Sequence, residues 1–405
     1  MKIYLVGGAV RDRLLGLPVT ERDWVVVGST PEAMTTLGYK PVGKDFPVFL
    51  HPDTGEEYAL ARTERKSGRG YKGFQVHASP EVTLAEDLIR RDLTINAIAE
   101  DEAGTLIDPY GGQADLKAKK LRHVSEAFID DPLRVLRLAR FQARYYHLGF
   151  TIADDTQKLI NAMVRGGELS ELVSERVWAE LEKAFTTQNP AEFFWVLRRS
   201  GALAVLFPEL DALFGVPNPP LYHPEIDSGV HTLMVLTQAA RLSEQPKIRL
   251  AALLHDLGKA TTAIQTWPSH YAHGPRGKDI IRHFCNRYRV PTEYREFAEM
   301  VAQFHIVSHQ SQELTLGKLI DLLSDLDAFR RRDRFEEFLL VAQADVRGRT
   351  GFEDNPYPQA DYLRRAVALA SEVEAKQFVA LGYQGKDIAE QLRMARIKHL
   401  RKNLD

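Results

Sequence analysis

Two places in this chain of 405 residues gather side chains that could do chemistry together. The first is Glu21 and Asp23, separated by one arginine and followed by Trp24 to Val27, an apolar run that predicts a strand. Residues two apart on a strand project to one side, so the acids would face together while Arg22 turns aside. Upstream, Gly7-Gly8 closes a strand-like run from Lys2 to Val6 and precedes a helical pattern from Ala9 to Gly16. Without a Cβ at Gly7 or Gly8, an anion can approach the backbone, and a helix N-terminus favours phosphate. Arg11 in the first turn would add a guanidinium fork. Two carboxylates beside a phosphate cradle point to magnesium, which takes one or two acids plus substrate oxygens. A common strand-turn-helix corner with a solvated acid pair is the plainer alternative.

The second place begins at His231 in Asp227-Ser-Gly-Val-His231 and continues with His255-Asp256 in a helical run from Arg249 to Lys259. That Ala- and Leu-rich helix is expected to stop at Gly258. Asp256 would then lie in its last turn, where negative charge opposes the macrodipole and a cation would relieve it. His305, in Phe304-His-Ile-Val-Ser-His309, completes the candidate ligand set of His231, His255, Asp256 and His305. His270, His273 and Asp345 are weaker candidates. Imidazole ligation favours a transition metal without choosing among them. A histidine on an apolar helix is also a common core residue, so a purely structural role stays open.

Three basic stretches lie elsewhere. Arg62 to Lys72 carries glycines and reads as a mobile loop, and Arg330-Arg331-Arg332 is a short cluster. In the third, Asp131 before Pro132 is a good helix cap with proline at the first helical position. Arg134, Arg137, Arg140 and Arg144 follow at spacings that share one helix face. Like charges there repel unless anions lie against them; these could be a ligand or distant acids. Arg90-Arg91-Asp92 before an apolar run could be no more than a charged helix terminus.

The elements that must position these groups change character along the chain. Strand signals around Leu5, Val26, Val48, Tyr58, Ile95 and Ile107 alternate with short helices, and from Pro132 onward helical patterns dominate. The expected architecture is an α/β head with a mixed sheet at residues 1–140. An all-helical remainder follows as a neck at 141–215, a metal-bearing body at 216–330 and a basic helical tail at 331–405. The aromatics Trp178, Phe193, Phe194 and Trp195 are read as packing. A net charge of −2 argues against indiscriminate polyanion binding, although local patches can still hold RNA. The single cysteine, Cys285, excludes an internal disulfide and fits a reducing compartment. The N-terminus lacks a signal-peptide plan, and no run is long enough to span a bilayer, so a cytoplasmic protein is expected.

The string Gly7-Gly8-Ala-Val-Arg11-Asp12 with Glu21-x-Asp23 resembles the signature of the class II tRNA nucleotidyltransferases, the CCA-adding enzymes, and their relatives the bacterial poly(A) polymerases. The resemblance extends along the chain. His231 and His255-Asp256 look like the HD phosphohydrolase superfamily, and head followed by HD body is similar to the multifunctional CCA-adding proteins. It implies that Glu21 and Asp23 hold Mg2+, with Gly8, Arg11 and Arg91 around the triphosphate. It further implies that Asp131 and Arg134 read the base, with Arg137 and Arg140 nearer phosphate or sugar. A carboxylate accepting from an exocyclic amine and a guanidinium donating to ring acceptors suit both cytosine and adenine, and repel uracil and guanine. One departure is Glu21, where the family usually has Asp. The implied activity is addition of CCA to tRNA from CTP and ATP. The implied HD activities are 2′,3′-cyclic phosphodiesterase, 2′-nucleotidase and phosphatase, with nickel or another transition metal, in a monomer or homodimer. A poly(A) polymerase, an HD phosphohydrolase with a non-catalytic RNA-binding head, and a non-catalytic tRNA binder are the competing readings.

Overall fold

The computed structural model describes residues 1–42, 48–66, 74–221 and 223–404. The chain divides into two compact units, Met1–Glu180 with Trp195–Leu206, and Leu181–Phe194 with Phe207–Asp405.

The first unit opens with β1 (Lys2–Val6), α1 (Gly8–Leu14), β2 (Asp23–Val27), α2 (Pro31–Thr36), β3 (Lys40–Val42), β4 (Val48–Leu50) and β5 (Glu57–Leu60). Then come β6 (Arg62–Lys66), β7 (Phe74–Ala78), α3 (Leu84–Leu88), β8 (Ala99–Glu100), β9 (Leu106–Ile107), α4 (Gly112–Ala118) and β10 (Lys120–Leu121). Seven strands form one mixed sheet in the order β3-β4-β5-β2-β1-β8-β9. β2 runs antiparallel to β1 and parallel to β5. Alternation along β2 feeds two apolar layers. Val25 packs with Val6, Leu88 and Ala97 on one face, and Val26 with Met34, Phe49 and Tyr58 on the other.

Two expectations change here. Ile95 lies in a 3-10 turn, Thr94–Asn96, rather than a strand. The cause is Asp92, whose Oδ1 accepts from Leu93 N and Asn96 Nδ2, both at 2.8 Å, and folds the run back on itself. The stretch read as a mobile loop begins as a strand, since Arg62–Lys66 pairs in antiparallel register with Phe74–Ala78. Arg69 and Lys72 lie outside the described residues.

Later helices are α5 (Leu133–Tyr145), α6 (Asp154–Arg165) after the short β11 (Thr151–Ile152), α7 (Ser174–Phe185), α8 (Ala191–Ser200), α9 (Ala202–Leu206) and α10 (Pro208–Asp211). Trp178, Phe193 and Phe194 are buried, as packing residues should be. The second unit continues with α11 (Ser228–Leu242), α12 (Pro246–Leu254), α13 (His273–Arg287), α14 (Thr292–His309), α15 (Leu316–Asp325), α16 (Arg332–Arg347), α17 (Pro358–Ser371), α18 (Lys376–Ala380) and α19 (Lys386–Asn403). Asp227 caps α11 by accepting from Val230 N at 2.9 Å. α12 packs against α11, α14 and α16. α12 stops at Leu254, and Asp256 follows it, leading into a 3-10 turn, Leu257–Thr261. Contrary to the expectation above, Gly258 does not end the helix and Asp256 does not lie in its last turn. A Cβ there would lie 1.9 Å from the His273 carbonyl oxygen, and one at Gly274 would lie 2.4 Å from that of Ala302. These glycines allow the turn, α13 and α14 to approach closely.

Candidate functional site

In the first unit, sheet register builds the site. Val6, the last residue of β1, pairs with Asp23, the first of β2, so Asp23 stands beside the Gly7-Gly8 corner. Glu21 precedes the strand rather than belonging to it, although its charge still acts on Asp23. Partial burial raises the Asp23 pKa, Arg91 pulls it down, and Glu21 raises it further. Arg22 turns aside to pair with Glu56 at 3.5 Å. Glu57 sits in register with Asp23 across the parallel β2–β5 pair, a third exposed carboxylate on that sheet face. Its signal in the sequence, an acid before a strand run, was too common to single out.

Gly7 has φ +69, and a Cβ there would lie 2.8 Å from Arg91 Nη1. The corner thus needs glycine both for its positive-φ backbone and for the arginine's approach. Because α1 spans only Gly8–Leu14, the positive charge at the corner comes from two guanidiniums, Arg91 against Gly7 and Arg11 against Gly8. Arg91 is loosely tethered, to Asp87 Oδ2 at 3.4 Å and to the Asn96 carbonyl at 3.5 Å. Arg11 is only 4% exposed, packs over the Phe141 and Tyr145 rings, and donates to Asp12 and Asn96. It braces the corner in this state, and a direct fork onto phosphate requires those bonds to be exchanged.

The arginine face of α5 is already partnered. Arg137 donates to Asp92 at 2.8 Å, Arg140 to Glu180 at 2.6 Å and Arg144 to Asp12 at 2.8 Å. Arg134 donates to the Ala127 and Arg90 carbonyls. Asp131 accepts from Leu133 N at 3.1 Å and from Arg176 at 2.8 Å, so both its oxygens are engaged. The anions against this face are protein carboxylates. Burial disfavours ionised Asp92, yet Arg137 and Asn96 outweigh it and hold the carboxyl well below its usual range.

In the second unit, four histidines are oriented alike. The Nδ1–H groups of His231, His255, His273 and His305 donate to the carbonyls of Gly348, Ala252, His270 and Ala302 at 2.7–2.9 Å. In neutral rings this leaves each Nε2 with only a lone pair. His231 Nε2 lies 3.1 Å from Asp345 Oδ1 and His255 Nε2 3.2 Å from Asp256 Oδ2. His273 Nε2 lies 3.1 Å from Asp256 Oδ1 and 3.2 Å from His305 Nε2. Acceptors face acceptors, and Asp256 turns one oxygen to each half of the cluster. His255 Nε2 and both Asp256 oxygens have no hydrogen-bond donor among the described residues, although Lys259 Nζ lies 2.7 Å from Oδ2. Burial opposes a charge on His255, but Asp256 and Asp345 outweigh it and raise its pKa, while burial pushes His305 down to about 4. A divalent cation fits this donor set. Without it, the Lys259 ammonium and a proton on His255 would have to offset the buried carboxylates.

All four expected residues, His231, His255, Asp256 and His305, belong to this cluster, and so do His273 and Asp345. His270 instead bonds the Pro217 carbonyl at 2.8 Å. Glu225, Lys259 and His309 were missed. Glu225 Oε1 lies 2.9 Å from His223 Nδ1 and 3.1 Å from His231 Nδ1.

Family models match around both sites. Residues 3–122 match the poly A polymerase head domain, 149–214 the probable RNA and SrmB-binding site of polymerase A, and 229–345 the HD domain. The chain is 62% identical over 99% of its length, and 98% of the other's, to the multifunctional CCA protein of Thioalkalivibrio sulfidiphilus (strain HL-EbGR7). The Bacillus stearothermophilus CCA-adding enzyme in complex with CTP shares the fold, with TM-score 0.62, 24% identity, and coverage of 97% of this chain and 87% of that one. So does the Thermotoga maritima CCA-adding enzyme complexed with tRNA, with TM-score 0.63, 22% identity, and coverage of 98% and 86%. Head and HD domain alike imply use of divalent metal. The chain belongs to the multifunctional CCA proteins, CCA-adding nucleotidyltransferases that carry an HD domain.

Proposed function

We propose that this chain adds C, C and A to tRNA 3′ ends from CTP and ATP, releasing pyrophosphate, and that its HD cluster hydrolyses phosphate esters. The reading rests most on Asp23 standing beside the Gly7-Gly8 corner with Arg91 closing over it. Glu21 and Asp23 would hold Mg2+, with Asp23 placed beside the Gly7-Gly8 corner by the β1–β2 register. Magnesium, when bound, neutralises triphosphate charge and acidifies the primer hydroxyl. Gly8 and Arg91 cradle the triphosphate, and Arg11 holds the corner's shape. Asp131 and Arg134 meet the base edge after exchanging their Arg176, Ala127 and Arg90 partners. Arg137 and Arg140, held by Asp92 and Glu180, stiffen the same face toward sugar and phosphate. The primer hydroxyl attacks the α-phosphorus in line, and pyrophosphate departs.

His231, His255, Asp256 and His305, with His273 and Asp345, would hold a transition metal, nickel among the options, for 2′,3′-cyclic phosphodiesterase, 2′-nucleotidase and phosphatase chemistry. Three features of function and organisation complete the reading: a head, neck, HD body and tail at residues 1–140, 141–215, 216–330 and 331–405, the first part of the tail, through Asp345, serving the HD cluster; a cytoplasmic location; and a monomer or homodimer. No helix among the described residues is long and apolar enough to cross a membrane. The test is Asp23→Ala in the full chain. Nucleotide addition should disappear while phosphatase activity remains; addition that survives removes Asp23 from the mechanism.

A further inference from the structure

One buried chain of hydrogen bonds in the second unit is absorbed by neither activity. Asp345 splits its two oxygens. Oδ1 faces the cluster, 3.1 Å from His231 Nε2 and 3.7 Å from His255 Nε2. Oδ2 turns away and lies 2.7 Å from His309 Nε2. The other ring nitrogen of His309, Nδ1, lies 3.1 Å from the hydroxyl of Tyr357. Tyr357 is 6% exposed and Asp345 3%. Tyr357 immediately precedes α17, beyond residue 345, where the HD match ends. Gln359, two residues on, donates to the His309 carbonyl at 3.2 Å, so the same segment grips His309 at backbone and ring.

The donor pattern fixes the direction. An ionised carboxylate only accepts, so His309 Nε2 carries the proton toward Asp345. Nδ1 of the neutral ring is then an acceptor, and the Tyr357 hydroxyl donates to it. Both nitrogens of His309 are thus occupied, which leaves it no atom for a proton transfer to substrate. Its one available role is to hold Asp345. Among the described residues Oδ1 faces imidazole Nε2 atoms whose Nδ1–H groups are already committed to carbonyls, so the His309 N–H is the donor that fixes Oδ2 and with it the carboxylate's orientation. Partners of metal ligands that orient them in this way typically affect metal affinity about 10- to 100-fold.

We propose that Tyr357 and His309 are positioning residues of the HD centre, through which the C-terminal segment beyond the HD domain sets the orientation of Asp345 toward a bound divalent metal. This rests on the proposed metal-binding role of the cluster.

The test is cobalt(II) binding by the full chain, followed by the ligand-field absorption of the bound ion, with melting temperature measured without metal as the folding control. His309→Leu removes both bonds, whereas His309→Gln offers an amide N–H to Asp345 and a carbonyl to the Tyr357 hydroxyl. Cobalt affinity should fall about 10- to 100-fold in His309→Leu and stay within about three-fold of wild type in His309→Gln. Tyr357→Phe, which removes a single oxygen, should fall between them and shift the absorption band. Affinity in His309→Leu or Tyr357→Phe equal to wild type overturns the proposal, as does an equal loss in His309→Gln and His309→Leu. Wild-type chain that takes up no cobalt at all overturns the metal reading itself, a result distinct from any ranking among the variants.

Discussion

Gly7→Ala perturbs the nucleotide site without replacing an acid or a cation. Gly7 has φ +69 and ψ −125, outside the left-handed helical well, and a residue with a Cβ there costs about 1–3 kcal/mol. For a unit of this size, that lowers the melting temperature by about 2–12 °C. The new Cβ would also lie 2.8 Å from Arg91 Nη1. Arg91 is the end of a flexible side chain held by long bonds of 3.4 and 3.5 Å, so it moves rather than the backbone. If Arg91 donates to the triphosphate, displacement forfeits a charge-assisted hydrogen bond, about 1.5–3 kcal/mol, or roughly a ten- to hundred-fold loss in kcat/KM. The assay is pyrophosphate release with CTP and tRNA lacking its terminus, run for Gly7→Ala, Arg91→Ala and the double variant. Because both changes act through one guanidinium, the double variant should lose little more than Arg91→Ala alone. Full additivity, or wild-type kcat/KM in Gly7→Ala, would refute the reasoning.

Three further outcomes follow from the geometry. Asp87 and Asp92 are buried, which opposes ionisation, yet neighbouring arginines hold both carboxyls below the usual range. Depressed folded-state values mean that their stabilisation is complete above the unfolded value near pH 4 and is lost as pH falls through the lower folded values. Urea melts of Asp92→Asn should therefore show a shallower acid decline than wild type, and an unchanged slope counts against the Asp92–Arg137 pair. Gly258→Ala drives a Cβ into the His273 carbonyl, so divalent-metal affinity, read by calorimetry, should fall about ten-fold or more as His273 leaves Asp256; unchanged affinity would detach His273 from the site. Glu21→Asp shortens one acid by a methylene, and the Mg2+ concentration for half-maximal addition should shift while Asp23→Asn abolishes addition; insensitivity of the Mg2+ curve to Glu21→Asp would remove Glu21 from the metal.

The head site was legible because its parts are local. Gly7-Gly8 follows one strand run and Asp23 opens the next, and antiparallel register joins them. The partners of the α5 arginines were not legible, since Asp12, Asp92 and Glu180 arrive from 132, 45 and 40 residues away. Ile95 misled because a buried apolar run reads the same as a strand, and the Asp92 side chain that bends it acts through hydrogen bonds that periodicity does not register. In the HD cluster the residue types were visible. His273 and Asp345 could not be ranked, because His273 depends on close contacts at Gly258 and Gly274, and Asp345 on the close approach of Gly348 to Val235, that only the packed helices reveal. His309 and Tyr357 carried no motif signal.

The central claim is tested most directly by product length. Full chain is incubated with tRNA lacking its three terminal nucleotides, with CTP alone, ATP alone and both together, and the 3′ ends are sequenced. The account predicts two added cytidines with CTP alone, and growth that stops at C, C and A when both nucleotides are present. Open-ended adenylation, or no extension while the tRNA is bound, would contradict it.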